Sequence, residues 1–400
     1  MSDTPWLTII GLGEDAPENL PPASRKALEA ADVVMGPPRH LGLLPALSAR
    51  LIEWPVPFAD GVAQLLEMRG QRVVMLASGD PFWFGAGTSV TRRLDPEEWT
   101  ALPSPSTFSL AASEMGWPLD TTGCFGLHAA PLTRLRPDLQ DGARLIVLLR
   151  DAKSVGDLTE YLNDSGWAES SVTVLQALGG PRAQRVDFTA NARPDAKFEH
   201  PLCVAVKVKG PRDNALPRAT GRADTWFDSD GTMTKRPVRA ITLSALAPRA
   251  GEHLWDIGGG SGSIAIEWLL SDWRLSASCI EPRASRVAAI TANAAKLGVD
   301  RLEVVQGSAP EILTDLPHPD VVFVGGGLSD ALLDWLTSRL QPGTRIVANA
   351  VTLESERLLL AAHTKLGGHL MRIEISNAEP LGPRTGWKAS YPIVQWSVTL

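Results

Sequence analysis

An acid followed by spaced glycines, Asp256-Ile257-Gly258-Gly259-Gly260-Ser261-Gly262, is the most chemically specific feature of this 400-residue sequence. It follows a strand-like run, HLWDI, and opens a helical period from Ser263 to Leu270. Glycine at Gly258, Gly260 and Gly262 removes side chains that would keep a ligand from the backbone. About twenty residues on, Glu281 closes the next strand-like run, SASCIE, where a carboxylate can accept hydrogen bonds from two ribose hydroxyls. Loop and acid together describe a nucleoside-cofactor site. Dinucleotide enzymes prefer G-x-G-x-x-G, whose last glycine brings a helix N-terminus against a pyrophosphate. An acid ahead of the glycines instead suits a cofactor without phosphate and with positive charge, which is the chemistry of S-adenosylmethionine (SAM).

The first half carries a second set of candidates. Gly11 and Gly13 follow the first apolar run, and Ser78, Gly79, Asp80 and Pro81 follow the run VVMLA, where Asp80 faces a cofactor or substrate or else caps the next helix. Phe82, Trp83 and Phe84 cannot all face one way, so they make at most a partial wall. In the second half the usual acid after the third strand is replaced by Ser308 beside Ala309, leaving that serine or backbone groups to meet the adenine. Gly325 and Gly326 end the fourth strand, where this kind of sheet meets its substrate. His128 lacks a neighbour at metal-ligand spacing, and no metal site is expected.

These residues need an α/β frame to position them. From Trp6 strand-like runs alternate with helical patterns, and strands at Leu145, Ser171, Arg182 and Cys203 form a second group, so the first half is expected as two lobes with a cleft. Residues 209–224, polar and rich in Pro, Gly and charge, read as a linker between domains 1–208 and 225–400. Beyond it come five strand–helix units and two final strands. That is the layout of a seven-stranded sheet whose last strand inserts antiparallel beside its predecessor.

Composition limits the function. Apolar residues make up 44% of the chain and charged residues 21%, a balance that supports buried cores. Residues through Val208 carry 18 Lys and Arg against 25 Asp and Glu, and the remainder 20 against 20, so neither half has the basic excess of a nucleic-acid binder. No apolar run reaches the roughly 18 residues of a membrane span, and the start MSDTPWLTIIGLG lacks a leader pattern, so a cytoplasmic protein is expected. Cys124, Cys203 and Cys279 are dispersed and read as buried thiols.

Several stretches carry a resemblance. MTKRPVRAITLSALAP, LWDIGGGSGSIAIEW, GSAPEIL, VFVGGG and VANAVTLE resemble the carbon 15 methyltransferase and decarboxylase of cobalamin biosynthesis, over nearly all of residues 225–400. GLGEDAPENL, GPPRHL, LASGDPFWFG, PSPSTFSLAASEMGWPL and ALGGPR resemble the carbon 5 enzyme, a tetrapyrrole methylase. In this order in one chain the two resemble the fused, decarboxylating precorrin-6Y methyltransferases. Departures are Pro237, where the family has Glu, and GLHAAPL, with alanines where relatives have Gly-Arg.

The resemblance implies a two-lobed tetrapyrrole methylase fold followed by a Rossmann-like SAM methyltransferase fold, with two SAM sites. It implies methylation of a precorrin at carbons 5 and 15, loss of carbon dioxide from the carbon 12 acetate, and a homo-oligomer, dimer or tetramer. Arg39 and His40, with Lys235, Arg236 and Arg239 beside Thr234, are candidates to hold the substrate's carboxylates. The sequence names no catalytic acid. An RNA methyltransferase and an inactive SAM-binding scaffold are the competing readings.

Overall fold

Runs of Val, Ile, Leu and Met flanked by turns become the central strands. In the first sheet these are β1 (Leu7–Leu12), β2 (Val33–Gly36), β3 (Arg50–Glu53), β4 (Val73–Ser78) and β5 (Trp99–Leu102), all parallel in the order β3-β2-β4-β1-β5. A computed structural model describes residues 5–400; Met1–Thr4, part of the stretch read for a leader, lie outside the described residues. The register sets Leu12 beside Ser78, so the chain leaves both strands at the same edge. Gly13 and Gly79 therefore emerge side by side.

The second sheet holds β6 (Gly123–Gly126), β7 (Arg144–Leu148), β8 (Ser171–Gln176), β9 (Gln184–Thr189) and β10 (Leu202–Lys207), in the mixed order β6-β7-β10-β8-β9. The PSPS stretch leads into the helix Thr107–Met115, whose first turn is capped by Ser106 Oγ accepting the Ser109 N–H at 3.0 Å. Sequence periodicity missed β3, β5 and β6. Each is a four-residue strand with no fully buried residue, so no apolar run marks it as one marks β2.

The third sheet is built from β11 (His253–Ile257), β12 (Ser276–Glu281), β13 (Glu303–Gln306), β14 (Val321–Val324), β15 (Arg345–Ala350) and β16 (His369–Ile373). A hairpin of β17 (Ser376–Leu381) and β18 (Arg384–Ala389) precedes β19 (Ile393–Thr399). The order β13-β12-β11-β14-β15-β19-β16 has β19 antiparallel to both neighbours, as expected; the hairpin was not foreseen. Two apolar cores cover the faces, one around Trp268 and Phe323 and the other around Trp255 and Trp396.

Contacts divide the chain into one unit running to Leu132 and including Asp138–Asn214, and another of Thr133–Pro137 with Ala215–Leu400. The stretch read as a linker over 209–224 is therefore corrected in its second part. Leu216 joins the core of the second unit, and Arg222 is 4% exposed. The cause is Glu267, wholly buried on the helix Ser263–Ser271. It accepts the N–H groups of Gly221 (2.7 Å) and Arg222 (3.0 Å), Arg222 Nη1 (3.3 Å) and Arg239 Nε (2.7 Å). A local sequence reading sees the charge but not this distant partner.

Removing Glu267 would leave two buried guanidinium groups without their shared carboxylate. Glu267→Ala is expected to destabilise the chain by about 3–5 kcal/mol, measured by denaturant unfolding, whereas a surface carboxylate such as Glu169, 67% exposed beside Lys209, should change it by less than about 1 kcal/mol when replaced by alanine.

Candidate methyl-donor and substrate cavities

In the second unit the glycine loop leaves β11 and starts the helix Ser263–Ser271. Gly260 has φ +59°, a conformation side chains strain to adopt, and its N–H donates to Glu281 Oε2 at 3.1 Å. Glu281 Oε1 accepts the Arg283 N–H at 3.1 Å. The carboxylate expected to meet a ribose thus also shapes the loop. Each of its oxygens keeps a second lone pair.

Asp256 is 1% exposed, and its Oδ2 accepts the Ala265 N–H at 3.1 Å. It lies across from Cys279 in the strand register, and the thiol donates to it. Burial is the main force raising its pKa to about 7; the Ala265 and Cys279 hydrogen bonds oppose the rise, and Glu281 adds to it. Asp256 therefore braces loop against helix as well as facing the cavity.

That cavity, about 640 Å³, is lined by Asp224, Thr232–Lys235, Asp256 and Gly258–Ser261 on one side. Phe323, Gly325, Asn349, Val351, Ile373 and Ile393 complete much of the rest. Of the sequence candidates, Thr234, Lys235, Asp256, Gly258, Gly260 and Gly325 come together here. Gly262, Glu281, Ser308, Ala309 and Gly326 do not line it; Ser308 and Ala309 follow β13, which pairs with the Glu281 strand.

Arg239 requires a correction. It is wholly buried, and beyond Glu267 it donates to the Thr234 carbonyl at 2.6 Å, the Arg222 carbonyl, and Asp224 Oδ1 at 3.1 Å, with Phe227 stacked at 4.8 Å. Four of its five N–H groups are used inside the protein. It positions the Thr234 segment rather than reaching a substrate. Asp224 and Asn349 were missed, since their role depends on chain reversals invisible in local sequence.

In the first unit a cavity of about 630 Å³ is lined by Gly13, Glu14, Arg39, His40, Ser78, Gly79 and Asp80 together with Trp54, Trp83, Phe84, Phe108, His128 and His200. Gly11 does not line it. A Cβ there would lie 1.7 Å from the Gly79 carbonyl oxygen, so this glycine permits two turns to touch. Asp80 Oδ1 accepts the Phe82 N–H at 2.8 Å, a turn of its own chain rather than a helix cap. Trp83 and Phe84 reach the cavity while Phe82 packs on Trp99.

Arg39 pairs with Glu14 and donates to Ser78 Oγ at 3.0 Å and toward His40 Nε2 at 2.9 Å. Glu14, which the sequence reading passed over, also holds Arg182 at 3.1 Å. Burial, then the Arg39 charge, pushes the His40 pKa down to about 3, so this imidazole is neutral. The expectation that His40 attracts carboxylates as a cation is corrected; Arg39, its side chain 30% exposed, retains that ability. Cys203 and Cys279 are buried, whereas Cys124 is half-buried. Among the described residues there is no cluster able to hold a metal and no helix long and apolar enough to cross a membrane.

A methylase fold with its own cavity, followed by a seven-stranded sheet with a glycine loop, defines a tandem of methyltransferase domains. The profile of the tetrapyrrole (corrin/porphyrin) methylases matches residues 6–192, and that of the precorrin methyltransferase domain residues 225–400. A Sinorhizobium precorrin-6Y C(5,15)-methyltransferase [decarboxylating] is 46% identical over 99% of this chain and 97% of its own length. The Salmonella typhimurium cobalt-precorrin-6B C(15)-methyltransferase (decarboxylating) is 32% identical over 40% of this chain and 85% of its own. The solved C-terminal domain of precorrin-6Y C5,15-methyltransferase from Rhodobacter capsulatus is 54% identical, covering 46% of this chain and all of that one, with a TM-score of 0.45. The chain belongs to the decarboxylating precorrin-6Y C(5,15)-methyltransferases, SAM-dependent enzymes of cobalamin biosynthesis.

Asp256 supplies a pH test. Its folded pKa near 7 lies above the ordinary aspartate value of 3.8, so between those values the folded state keeps a proton that the unfolded chain has lost. Stability from this group is full below about pH 4 and declines until about pH 7, by at most ~4 kcal/mol. Asp256→Asn should remove that decline, and unfolding curves of both proteins between those pH values would check it.

Proposed function

We propose that residues 1–208 methylate a precorrin at carbon 5, and that residues 225–400 methylate carbon 15 and remove the carbon 12 acetate carboxyl group, each with its own SAM site. The observation that carries this reading is a separate cavity in each unit, each walled by turns at the carboxyl ends of a parallel strand pair. The Salmonella relative, whose name joins methylation and decarboxylation, aligns over 166 residues and supports assigning both reactions to one unit.

A SAM molecule fits the residues present. In the second unit Gly258 and Gly260 leave backbone open to the cavity, Glu281 keeps acceptor capacity for ribose hydroxyls, and Asp256 faces the cavity with a carboxyl group that a cationic donor would draw toward its ionised form. In the first unit Gly13, Ser78, Gly79 and Asp80 form the corresponding wall. SAM supplies an electrophilic methyl group that a ring carbon displaces from sulfur. The protein's own contribution is alignment of carbon, methyl and sulfur. Arg39 in one cavity and Lys235 in the other offer charge to the substrate's carboxylates.

Calorimetry should find two equivalents of SAM per chain. Gly260→Arg places a long side chain in the second cavity, and should leave one equivalent and a product, by mass, with a single new methyl and its carboxyl group retained. Glu281→Ala should weaken the second equivalent by about 1.5–3 kcal/mol. Complete decarboxylation by a Gly260→Arg protein that binds one equivalent would disprove the pairing of reactions; a single equivalent in the parent chain would disprove the two-site reading.

A further inference from the structure

The second cavity contains a side chain held more firmly than a cavity wall requires. Asn349, on β15, donates from Nδ2 to Thr242 Oγ1 at 2.9 Å, while Gln395 Nε2 donates to Asn349 Oδ1 at 2.9 Å. Gln395 Nε2 also lies 3.2 Å from Thr242 Oγ1, closing a ring of three side chains. Thr242 is wholly buried and Gln395 is 3% exposed, so both anchors are fixed by the core between β15, β19 and the helix Arg236–Leu246. The second N–H of Asn349 has no partner among the described residues.

The cavity that Asn349 lines has a polar side, with Asp224, Thr234 and Asp256, and an aliphatic and aromatic side. Phe323, Val351, Ile373, Ile375 and Ile393 line the same cavity, and Lys235 is the one cation among its lining residues. Asn377, Ser390 and Tyr391 also line it and are exposed, Asn377 on the hairpin strand β17 and the other two just after β18. A neutral donor is thus locked in place in a cavity lined by a single cationic side chain and by large apolar ones.

Resting on the assignment of decarboxylation to this unit, we propose that Asn349 holds the acetate carboxylate that departs as carbon dioxide, with Thr242 and Gln395 as positioning residues. In this step the bond from the methylene carbon to the carboxyl carbon breaks. Its electron pair enters the conjugated macrocycle, carbon dioxide leaves, and the methylene takes a proton from water to become a methyl group. Charge begins concentrated on two oxygens and ends spread over a ring. A cation bonded to the carboxylate would favour the starting state; an apolar wall disfavours it, and one neutral N–H orients the group with little ground-state stabilisation. The anchored carboxamide and the aliphatic residues lining the same cavity supply that combination.

The test compares the intact chain with Asn349→Ala, Asn349→Asp and Thr242→Val, supplying precorrin-6Y and SAM. Carbon dioxide release and methyl count are measured together with S-adenosylhomocysteine affinity. Asn349→Ala should lower carbon dioxide release roughly ten- to hundredfold, with unchanged affinity for S-adenosylhomocysteine. Asn349→Asp, which sets like charges together, should fall further, and Thr242→Val should lower kcat for decarboxylation more than it raises KM. Parental carbon dioxide release from Asn349→Asp would overturn the role of Asn349, as would a loss of release matched by an equal loss of S-adenosylhomocysteine binding. If the unsubstituted chain methylates but releases no carbon dioxide, the assignment of the reaction itself fails.

Discussion

The carboxylate of Glu267 is the constraint on which the second unit depends. Burying a charge costs several kcal/mol unless every lone pair is matched, and Glu267 receives two backbone N–H groups and two guanidinium N–H groups on its two oxygens. Each donor comes from a segment that must be placed. Gly221 and Arg222 lead into the domain, and Arg239 carries the constraint onward to the Thr234 carbonyl and Asp224, both part of the cavity wall. Glu267 itself sits on the helix that the glycine loop begins. The donor loop and the opposite wall are therefore referred to one buried charge.

Glu14 in the first unit is a looser version of the same device. Its side chain is 9% exposed and shared between Arg39 and Arg182, whose side chains are 30% and 59% exposed. Burial makes Arg239 a fixture, but the partial exposure of Arg39 leaves it able to meet an anion. The same residue type thus plays opposite parts, and the difference lies in desolvation rather than in charge.

What the sequence made legible follows from this distinction. The loop from Asp256 to Gly262 was readable because absent side chains are written directly in the chain, and the seven strands of the third sheet because each apolar run stands between turns. Strand β3, RLIE, did not declare itself because it is mostly exposed and carries no apolar run. Arg239 and Arg222 were misread as available or solvated charge because their partner, Glu267, lies 28 and 45 residues away. Asn349 was passed over for a related reason: an asparagine gains its meaning from Thr242, 107 residues earlier, and Gln395, 46 residues later. Gly11 was singled out for a ligand, yet it serves the contact between two backbone turns.

The distribution of charge around the two cavities bears on how a polyanionic substrate can be handled by an acidic protein. With a formal charge of −7 the chain as a whole does not attract anions, so recognition has to come from individual groups. Arg39 and Lys235 line the two cavities with positive charge, while His40 is kept neutral by a pKa near 3 and Arg239 is turned inward, four of its five N–H groups bonded inside the protein. On the proposed assignment, sparse cations would hold the periphery of a macrocycle and leave the Asn349 carboxamide for the departing carboxylate. On that assignment methyl transfer would profit because the positive charge of the donor is not opposed by further cations, and decarboxylation because its carboxylate is not over-stabilised. The same scarcity of cations would then serve both reactions.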